Sequence, residues 1–211
     1  MSSVVLGSPV PQAGDMGGMP PGLLESITSG GGLAGFAGGA GGLDLGALLG
    51  GGGPDNETPV IIAGYAATAE KERALDAAIT AIPANSDTTA SSIVSVITTA
   101  KDVIAALKDS TTKVSAIGTV NLVASSSLTA PGAELTNLFE QTAGALIAKK
   151  DAIAKVGKKA DVLEVAKGIK EAVKDFTDNI EQHLPPVSKE AAQTEHAKGL
   201  ASADKIVAAY S

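Results

Sequence analysis

The chain has 211 residues and a formal net charge of −7, and it contains no cysteine. An acidic chain without a basic patch is not suited to bind nucleic acid, because that binding depends on cations that neutralise phosphates. The lack of cysteine excludes disulfides and thiolate metal sites.

Glycine and charge divide the chain into two parts. Eighteen of the 25 glycines precede Pro54, and the first basic residue is Lys71. The first 57 residues carry five acidic side chains and no basic one. We therefore predict a disordered, glycine-rich, acidic arm over residues 1–57. We predict a folded domain over residues 58–211, which is long enough to bury a single core.

The segment Gly30–Gly53 is apolar but poorly suited to a transmembrane span. More than half of its residues are glycine, each of which disfavours a helix by about 1 kcal/mol, and Asp44 lies within it. Two interpretations remain, a flexible linker and an adhesive segment that contacts apolar surfaces. The adhesive segment would act through its large apolar side chains, Leu33, Phe36, Leu43, Leu48 and Leu49.

The first residues do not form an intact signal peptide. No basic residue precedes the apolar run Val4–Leu6, which is too short for a secretory signal. The fragment VVLGSPVPQ nevertheless looks like the end of one. Two interpretations of the first residues are therefore kept: a truncated signal peptide, and a protein without a leader.

From Thr58 onward the hydrophobic pattern predicts helices. Thr58 as N-cap and Pro59 as the first helical residue begin a helix that ends before Pro83, and Glu72 interrupts its apolar face. A second helix, capped by Asp87, has the clearest apolar stripe. Its stripe comprises Ile93, Val96, Ile97, Ala100, Val103, Ile104 and Leu107.

The second half of the chain predicts three more long helices. After a Ser/Thr-rich stretch with a short helical piece near residues 120–124, a third helix follows Pro131 and ends near Gly157. Asp161 opens a fourth helix, which ends before the prolines at 185–186, and Ser188 caps the fifth. Five amphipathic helices on short connections predict an all-α fold, an antiparallel helical bundle.

No pattern of catalytic or metal-binding residues is found in the sequence. The two histidines, His183 and His196, lack metal-ligand spacing, and Ser125–Ser127 lacks a nucleophile context. We therefore predict no enzyme activity and no cofactor. Asn56 begins an Asn-x-Thr sequence and is a candidate glycosylation site.

Three stretches carry a resemblance to a known family: ELTNLFEQTAGALIAKKDAIAKVG, VLEVAKGIKEAVKDFTDNIEQHLPP and ASADKIVAAYS. They are similar to the fungal family of hydrophobic surface binding protein A and cell-wall galactomannoproteins. Family members share a helix with an Ala-Leu-x-x-Lys-Lys pattern, here residues 145–150, and an Asp-Lys-x-x-x-Ala-Tyr ending, here Asp204–Tyr210. The resemblance covers roughly residues 60–211.

The resemblance implies a secreted or cell-wall protein without catalytic activity. Such a protein adsorbs to hydrophobic surfaces, recruits a secreted hydrolase to them, or holds fatty acids within the bundle. Two functions stay open: a hydrophobic-surface or fatty-acid binding protein, and a structural cell-wall mannoprotein without a ligand.

The composition of the helical stripes allows an aliphatic slot inside the bundle. Aromatic residues make up only 2% of the chain, and the stripes mix alanine with branched aliphatic residues. Such a bundle either packs closely or leaves a slot of the shape that a lipid occupies. The residues predicted to line it are Ile97, Ile104, Phe139, Leu146, Ile169, Val173 and Phe176.

Overall fold

The computed structural model describes residues 55–83 and 90–211, and the regular elements in those ranges are helical. The long helices are α1 (Thr58–Thr80), α2 (Ala90–Val114), α4 (Thr129–Ala148), α6 (Lys159–His183) and α7 (Pro186–Tyr210). The short elements are α3 (Leu122–Ser125), a 3-10 turn (Ser126–Leu128) and α5 (Lys150–Lys155). The predicted arm up to residue 54, with Leu33, Phe36, Leu43, Leu48 and Leu49, and the Asp87 cap lie outside the described residues.

The five long helices form a closed ring, in the order α1, α2, α6, α7, α4 and back to α1. Ser110, near the end of α2, lies against the carbonyl of Gly64, near the start of α1, so these two helices are antiparallel. Lys149, just after α4, donates a hydrogen bond to the carbonyl of Ile82, just after α1. Helix α4 therefore runs in the same direction as α1 and opposite to α2.

The last two helices complete the ring from opposite ends. The carbonyl of His183, where α6 ends, accepts a hydrogen bond of 2.8 Å from the backbone N–H of Val120, which follows α2. The hydroxyl of Tyr210, where α7 ends, donates a hydrogen bond of 2.7 Å to the carbonyl of Leu146 near the end of α4. Successive long helices thus reverse direction, and the predicted antiparallel bundle of five helices is confirmed.

A close contact among α1, α2 and α6 anchors the core. The rings of Tyr65 and Phe176 meet edge to face, with centroids 5.7 Å apart and planes at 80°. This approach depends on Gly64, because a Cβ atom there would lie 3.2 Å from Phe176 Cζ and 3.2 Å from Ser110 Cβ. The absence of a side chain at residue 64 therefore sets the spacing of three helices.

The capping of α1 differs from the sequence prediction. Thr58 is the first helical residue and is buried, and the Oδ1 atom of Asp55 accepts hydrogen bonds of 3.2 Å from the backbone N–H groups of Glu57 and Thr58. Proline is accepted in the first turn because its missing N–H would have no partner there. The cap is therefore the Asp55 carboxylate, and the prediction of a Thr58 cap is wrong.

Three other helix starts also lie earlier than predicted. Helix α4 begins at Thr129, so Pro131 lies inside its first turn. Asp161 lies in the first turn of α6 and pairs with Lys158 at 2.6 Å. Ser188 lies inside α7, which begins at Pro186. In each case the residue predicted to open the helix lies within its first turn instead, and Asp161 there also interacts favourably with the helix dipole.

Among the described residues, α2 is the one helix long and apolar enough to cross a membrane, by length and composition alone. Its buried residues include Ile93, Val96, Val103 and Leu107, and the helix packs against α1 and α6. This burial is the arrangement of a core helix in a bundle.

Two glycine substitutions test the packing of the ring. Gly144 lies exposed in α4, and a Cβ atom there would meet nothing within 4 Å. We expect Gly144→Ala to raise the free energy of unfolding by about 0.5–1 kcal/mol, since alanine favours the helix. Gly64→Ala should lose this gain to its contacts with Phe176 and Ser110. Urea unfolding measures both variants, and equal gains would contradict the close contact.

Candidate functional site

A cavity of about 320 Å³ lies inside the ring. All five long helices contribute to its wall, together with α3 and the 3-10 turn, and no lysine or arginine of the described ranges lines it. The wall is mainly apolar and includes Leu107, Leu128, Leu135, Phe139, Phe176 and Ile180. We call this space the main cavity.

The main cavity opens between the first half of α7 and the segment formed by the 3-10 turn and the first residue of α4. The wall residues that remain exposed lie there: Ser126, Thr129, Val187 and Ala191. Inside this mouth the hydroxyl oxygens of Ser125 and Ser188 lie 2.8 Å apart and share a hydrogen bond. The mouth therefore offers a pair of hydroxyls, and Thr136, Thr177, Glu195 and His196 are further polar residues of the wall.

The first half of α7 covers the main cavity without burying a side chain. The buried residues of α7 begin only at Gly199. Two polar contacts to one carboxylate hold this segment: Gln193 Nε2 donates to Glu181 at 3.0 Å, and His196 Nδ1 lies 2.8 Å from Glu181 Oε1. Because this segment contributes only partly buried side chains such as Ala192 to the core, we expect it to open more easily than the fully buried parts of the wall.

A buried glycine widens the main cavity on the side of α7. Gly199 is buried and lines the cavity, yet a Cβ atom there would meet nothing within 4 Å. The space in front of Gly199 is therefore the cavity itself. On the neighbouring helix α4, a Cβ atom on Gly132 would lie 3.5 Å from the hydroxyl of Tyr65.

A smaller cavity, of about 30 Å³, is also lined by all five long helices. Its wall includes Leu75, Val96, Val165 and Ile206, and two polar residues, Glu72 and Thr142. Within the part of the chain that the structure describes, Phe139 alone lines both cavities. Phe139 therefore lies between the smaller cavity and the main cavity.

Glu72 is a buried acid, and one of its two carboxyl oxygens has no hydrogen-bond partner among the described residues. It is 1% exposed, and neither its Oε2 atom nor the Oγ1 atom of Thr142 has a hydrogen-bond partner within the ranges that the structure describes. Burial raises the pKa of Glu72 to about 8. The Thr142 hydroxyl lies near enough to the carboxyl to oppose this shift, although the two groups do not meet in hydrogen-bond geometry, and the Asp76 carboxylate adds to the shift. The Glu72 carboxyl is therefore predominantly protonated at neutral pH.

The histidines occupy separate positions at the end of the bundle where α6 meets α7. The Nδ1 atom of His183 lies 3.1 Å from the carbonyl of Gly118, and His196 contacts Glu181. Over residues 55–83 and 90–211, no group of three or more histidine, aspartate or glutamate side chains is arranged to hold a metal ion.

Comparison with known proteins identifies the family. The family model of hydrophobic surface binding protein A matches residues 60–182, which is more than half of the chain. The chain belongs to this family. The match runs from α1 to the last turn of α6 and includes most of the wall of both cavities. Comparison with curated proteins gives no match.

Solved structures share the fold of the bundle. Ligand binding domains 1 and 2 of Penicillium marneffei MP1, each complexed with arachidonic acids, have TM-scores of 0.68 at 14% and 12% identity. They cover 74% and 75% of this chain and 99% of each domain. AFMP4P in complex with palmitic acid has a TM-score of 0.68 at 12% identity and covers 73% of this chain and 99% of its own. At these identities the likeness shows the fold alone.

The structure brings most of the predicted slot residues to the two cavities. Ile104 lines neither cavity, and its Cδ1 atom packs 2.9 Å from the position that a Cβ atom of Gly168 would take. Asn56 is exposed just before α1, and its glycosylation stays a prediction. The other six slot residues lie on one or both cavities: Ile97, Phe139, Leu146, Ile169, Val173 and Phe176.

The sequence prediction missed the polar groups of both cavities. Glu72 could have been recognised from the sequence, because it occupies an apolar position of the α1 stripe, three residues before Leu75. The pairing of the Ser125 and Ser188 hydroxyls could not, since 63 residues separate these two serines.

The pKa of Glu72 predicts how stability changes with pH. The unfolded carboxyl ionises near its ordinary pKa of 4.5, whereas the folded one stays protonated up to about 8. Between these values the folded state binds more protons, so the free energy of unfolding falls as the pH rises, by an amount on the order of a few kcal/mol. Glu72→Gln cannot ionise and should lack this decline. Urea unfolding near pH 5 and near pH 8 compares the two proteins, and parallel pH profiles would contradict the shift.

Proposed function

We propose that the main cavity binds a long-chain fatty acid or a comparable single-chain lipid. The observation that carries this proposal is a cavity of about 320 Å³ inside the ring, with an apolar wall and a polar mouth. That volume lies within the range of roughly 300–1,000 Å³ typical of small-molecule sites. The wall matches an acyl chain, and the mouth matches a head group.

The affinity would come from apolar burial. Each buried methylene contributes about 0.8 kcal/mol, so a dozen contribute about 10 kcal/mol before the costs of association. This burial is large enough to bind a ligand without a charged anchor, and among the described residues no lysine or arginine lines the cavity to provide one. The carboxylate of the ligand would lie at the mouth, where the hydroxyls of Ser125 and Ser188 can donate hydrogen bonds to it.

Structures of the same fold support a fatty-acid ligand. Domains of MP1 were solved with arachidonic acids, and AFMP4P was solved with palmitic acid. Helix α7 provides a route of entry, since its first half covers the mouth and is held by Glu181 through polar contacts. A small outward movement of this segment would widen the mouth without exposing a packed core.

A second candidate function is adsorption to hydrophobic surfaces, which the family name describes. Val123 on α3 and Val187 on α7 are 72% and 71% exposed, and Val187 lines the mouth of the main cavity. An apolar surface that contacts these side chains would meet the opening of the cavity. The adhesive role of Leu33, Phe36, Leu43, Leu48 and Leu49 in the arm would add to this contact.

Both functions suit an extracellular or cell-wall protein that acts by binding rather than by catalysis. At this location the protein could bind a secreted hydrolase that acts on apolar substrates and recruit it to the surface. The alternative is a structural wall mannoprotein without a ligand, for which the main cavity would have no role and the arm of residues 1–57 would be a spacer.

Filling the main cavity tests the fatty-acid proposal. Gly199→Leu places a side chain in the open space of the cavity, so we expect the affinity for a fluorescent fatty acid to fall by at least about tenfold, while the melting temperature holds or rises. Gly144→Leu is the matched control, because it replaces an exposed helical glycine and should leave binding unchanged. A full-length protein that binds no fatty acid, or a Gly199→Leu variant that binds normally, would refute the proposal.

Val173→Phe tests the same space from α6. Val173 is 3% exposed and lines the main cavity. If its side chain borders free space, phenylalanine should weaken fatty-acid binding while the free energy of unfolding stays unchanged. In a closely packed core the same substitution would cost about 1–3 kcal/mol. Unfolding and titration on one variant distinguish the two arrangements.

Replacing the exposed valines tests adsorption. The double variant Val123→Ser, Val187→Ser removes apolar area at the mouth, and both side chains are mostly exposed, so the fold should be unaffected. We expect weaker retention on a hydrophobic resin. Val94→Ser is the matched control, because Val94 is 49% exposed on α2 and does not line the main cavity. Equal retention of all three proteins would speak against adsorption at the mouth.

A further inference from the structure

The main cavity and the smaller cavity offer one extended path through the ring. The path begins at the mouth near Thr129 and reaches Thr142 on the same helix, a distance of about 20 Å because a helix rises about 1.5 Å per residue. An extended long-chain fatty acid has a comparable length. If the ligand enters as proposed above, its distal end points toward the smaller cavity.

Phe139 is the barrier on this path. It is the one residue common to both walls, and its ring is 8% exposed. An aromatic side chain has a few preferred rotamers, and a long ligand requires the Phe139 ring to turn from its present one to another. The distal end of a long ligand then reaches the smaller cavity.

The smaller cavity is apolar except at one place. Glu72 Oε2 and Thr142 Oγ1 lie in its wall, are buried, and have no hydrogen-bond partner among the described residues. Leaving such groups unpaired costs free energy, so a partner that enters the cavity gains their hydrogen bonds. These two groups are a second observation, independent of the cavity volume, that points to a bound group.

The chemistry of the two residues selects the bound group. A protonated carboxyl and a threonine hydroxyl can each donate and accept a hydrogen bond, and so can an alcohol hydroxyl. The volume of about 30 Å³ has room for one or two oxygen atoms. A metal cation would need more oxygen ligands, and an ammonium group would require a buried ion pair with a large desolvation cost.

We propose that the smaller cavity is a hydroxyl-binding subsite in which Glu72 and Thr142 bind an alcohol group on the distal end of an acyl chain. This inference rests on the proposed fatty-acid function and narrows its ligand class to chains hydroxylated far from the carboxyl group. An unsubstituted chain would fill the main cavity but leave Glu72 and Thr142 unpaired.

Three matched ligands test the subsite on the full chain near pH 6: palmitic acid, 16-hydroxypalmitic acid and 2-hydroxypalmitic acid. We expect 16-hydroxypalmitic acid to bind about threefold to tenfold tighter than palmitic acid, the gain typical of a buried hydrogen bond. The hydroxyl of 2-hydroxypalmitic acid would lie at the mouth, so this ligand should bind like palmitic acid. Isothermal titration calorimetry measures all three dissociation constants.

Two substitutions of Glu72 test whether this residue is the source of the higher affinity for 16-hydroxypalmitic acid. Glu72→Gln keeps a donor and an acceptor and should retain the preference for 16-hydroxypalmitic acid. Glu72→Met has a similar size without hydrogen-bonding groups and should abolish the preference while palmitic acid still binds. Unfolding curves establish that both variants are folded. A preference that persists in Glu72→Met would overturn the proposal.

Phe139→Trp tests the path. The larger ring should keep a long chain out of the smaller cavity, so the gain from the terminal hydroxyl should vanish while decanoic acid, which fits the main cavity alone, still binds. A gain that survives in this variant would show that the hydroxyl binds elsewhere and would refute the subsite.

The outcomes separate this inference from the fatty-acid proposal. If palmitic acid fails to bind the unchanged protein, the proposed function fails and the inference fails with it. If palmitic acid binds but the terminal hydroxyl adds no affinity, or if the 2-hydroxyl adds as much, the inference alone fails.

Discussion

Helices that pack side by side lie roughly 8–10 Å apart. In a closed ring of five at that spacing, the geometric centre lies roughly 7–8 Å from every helix axis, farther than in a ring of four. Short side chains that point inward do not reach this centre. The ring of α1, α2, α6, α7 and α4 therefore has interior space that only large side chains can fill, and the rest of the structure follows from how that space is used.

Large side chains fill the interior in one place and leave it open in others. Tyr65 and Phe176 meet edge to face near one end, and Phe139 lies between the two cavities. With so few aromatic residues, the remaining positions are alanine, glycine and aliphatic residues, and the space between them remains as cavities. The cavity that opens to solvent is covered by the half of α7 that buries least, so access and loose packing occur in the same segment.

The interior also carries polar groups that a plain core would not tolerate. Glu72 and Thr142 are buried among aliphatic side chains, and burial holds the pKa of Glu72 well above its usual range. Replacing such groups with apolar ones of similar shape usually stabilises a core. Their presence in the wall of a cavity is the observation on which the proposed hydroxyl subsite rests. The hydroxyl pair at the mouth gives the opposite end of the ring its own polar character.

The sequence by itself determined the five long helices and their inward faces, because a period of 3.6 residues in apolar side chains is a local property. It also placed six slot residues on cavity walls, since an inward stripe in a ring faces the interior. It did not show that the third predicted helix, expected to end near Gly157, divides at Lys149 into α4 and α5. Only the tertiary structure decided which inward residues border free space and which, like Ile104 against Gly168, fill it. Free space depends on the distance between helices, which side chains far apart in the sequence set together. For the same reason the pairing of Ser125 with Ser188 and the position of Phe139 between two cavities emerged only from the folded ring.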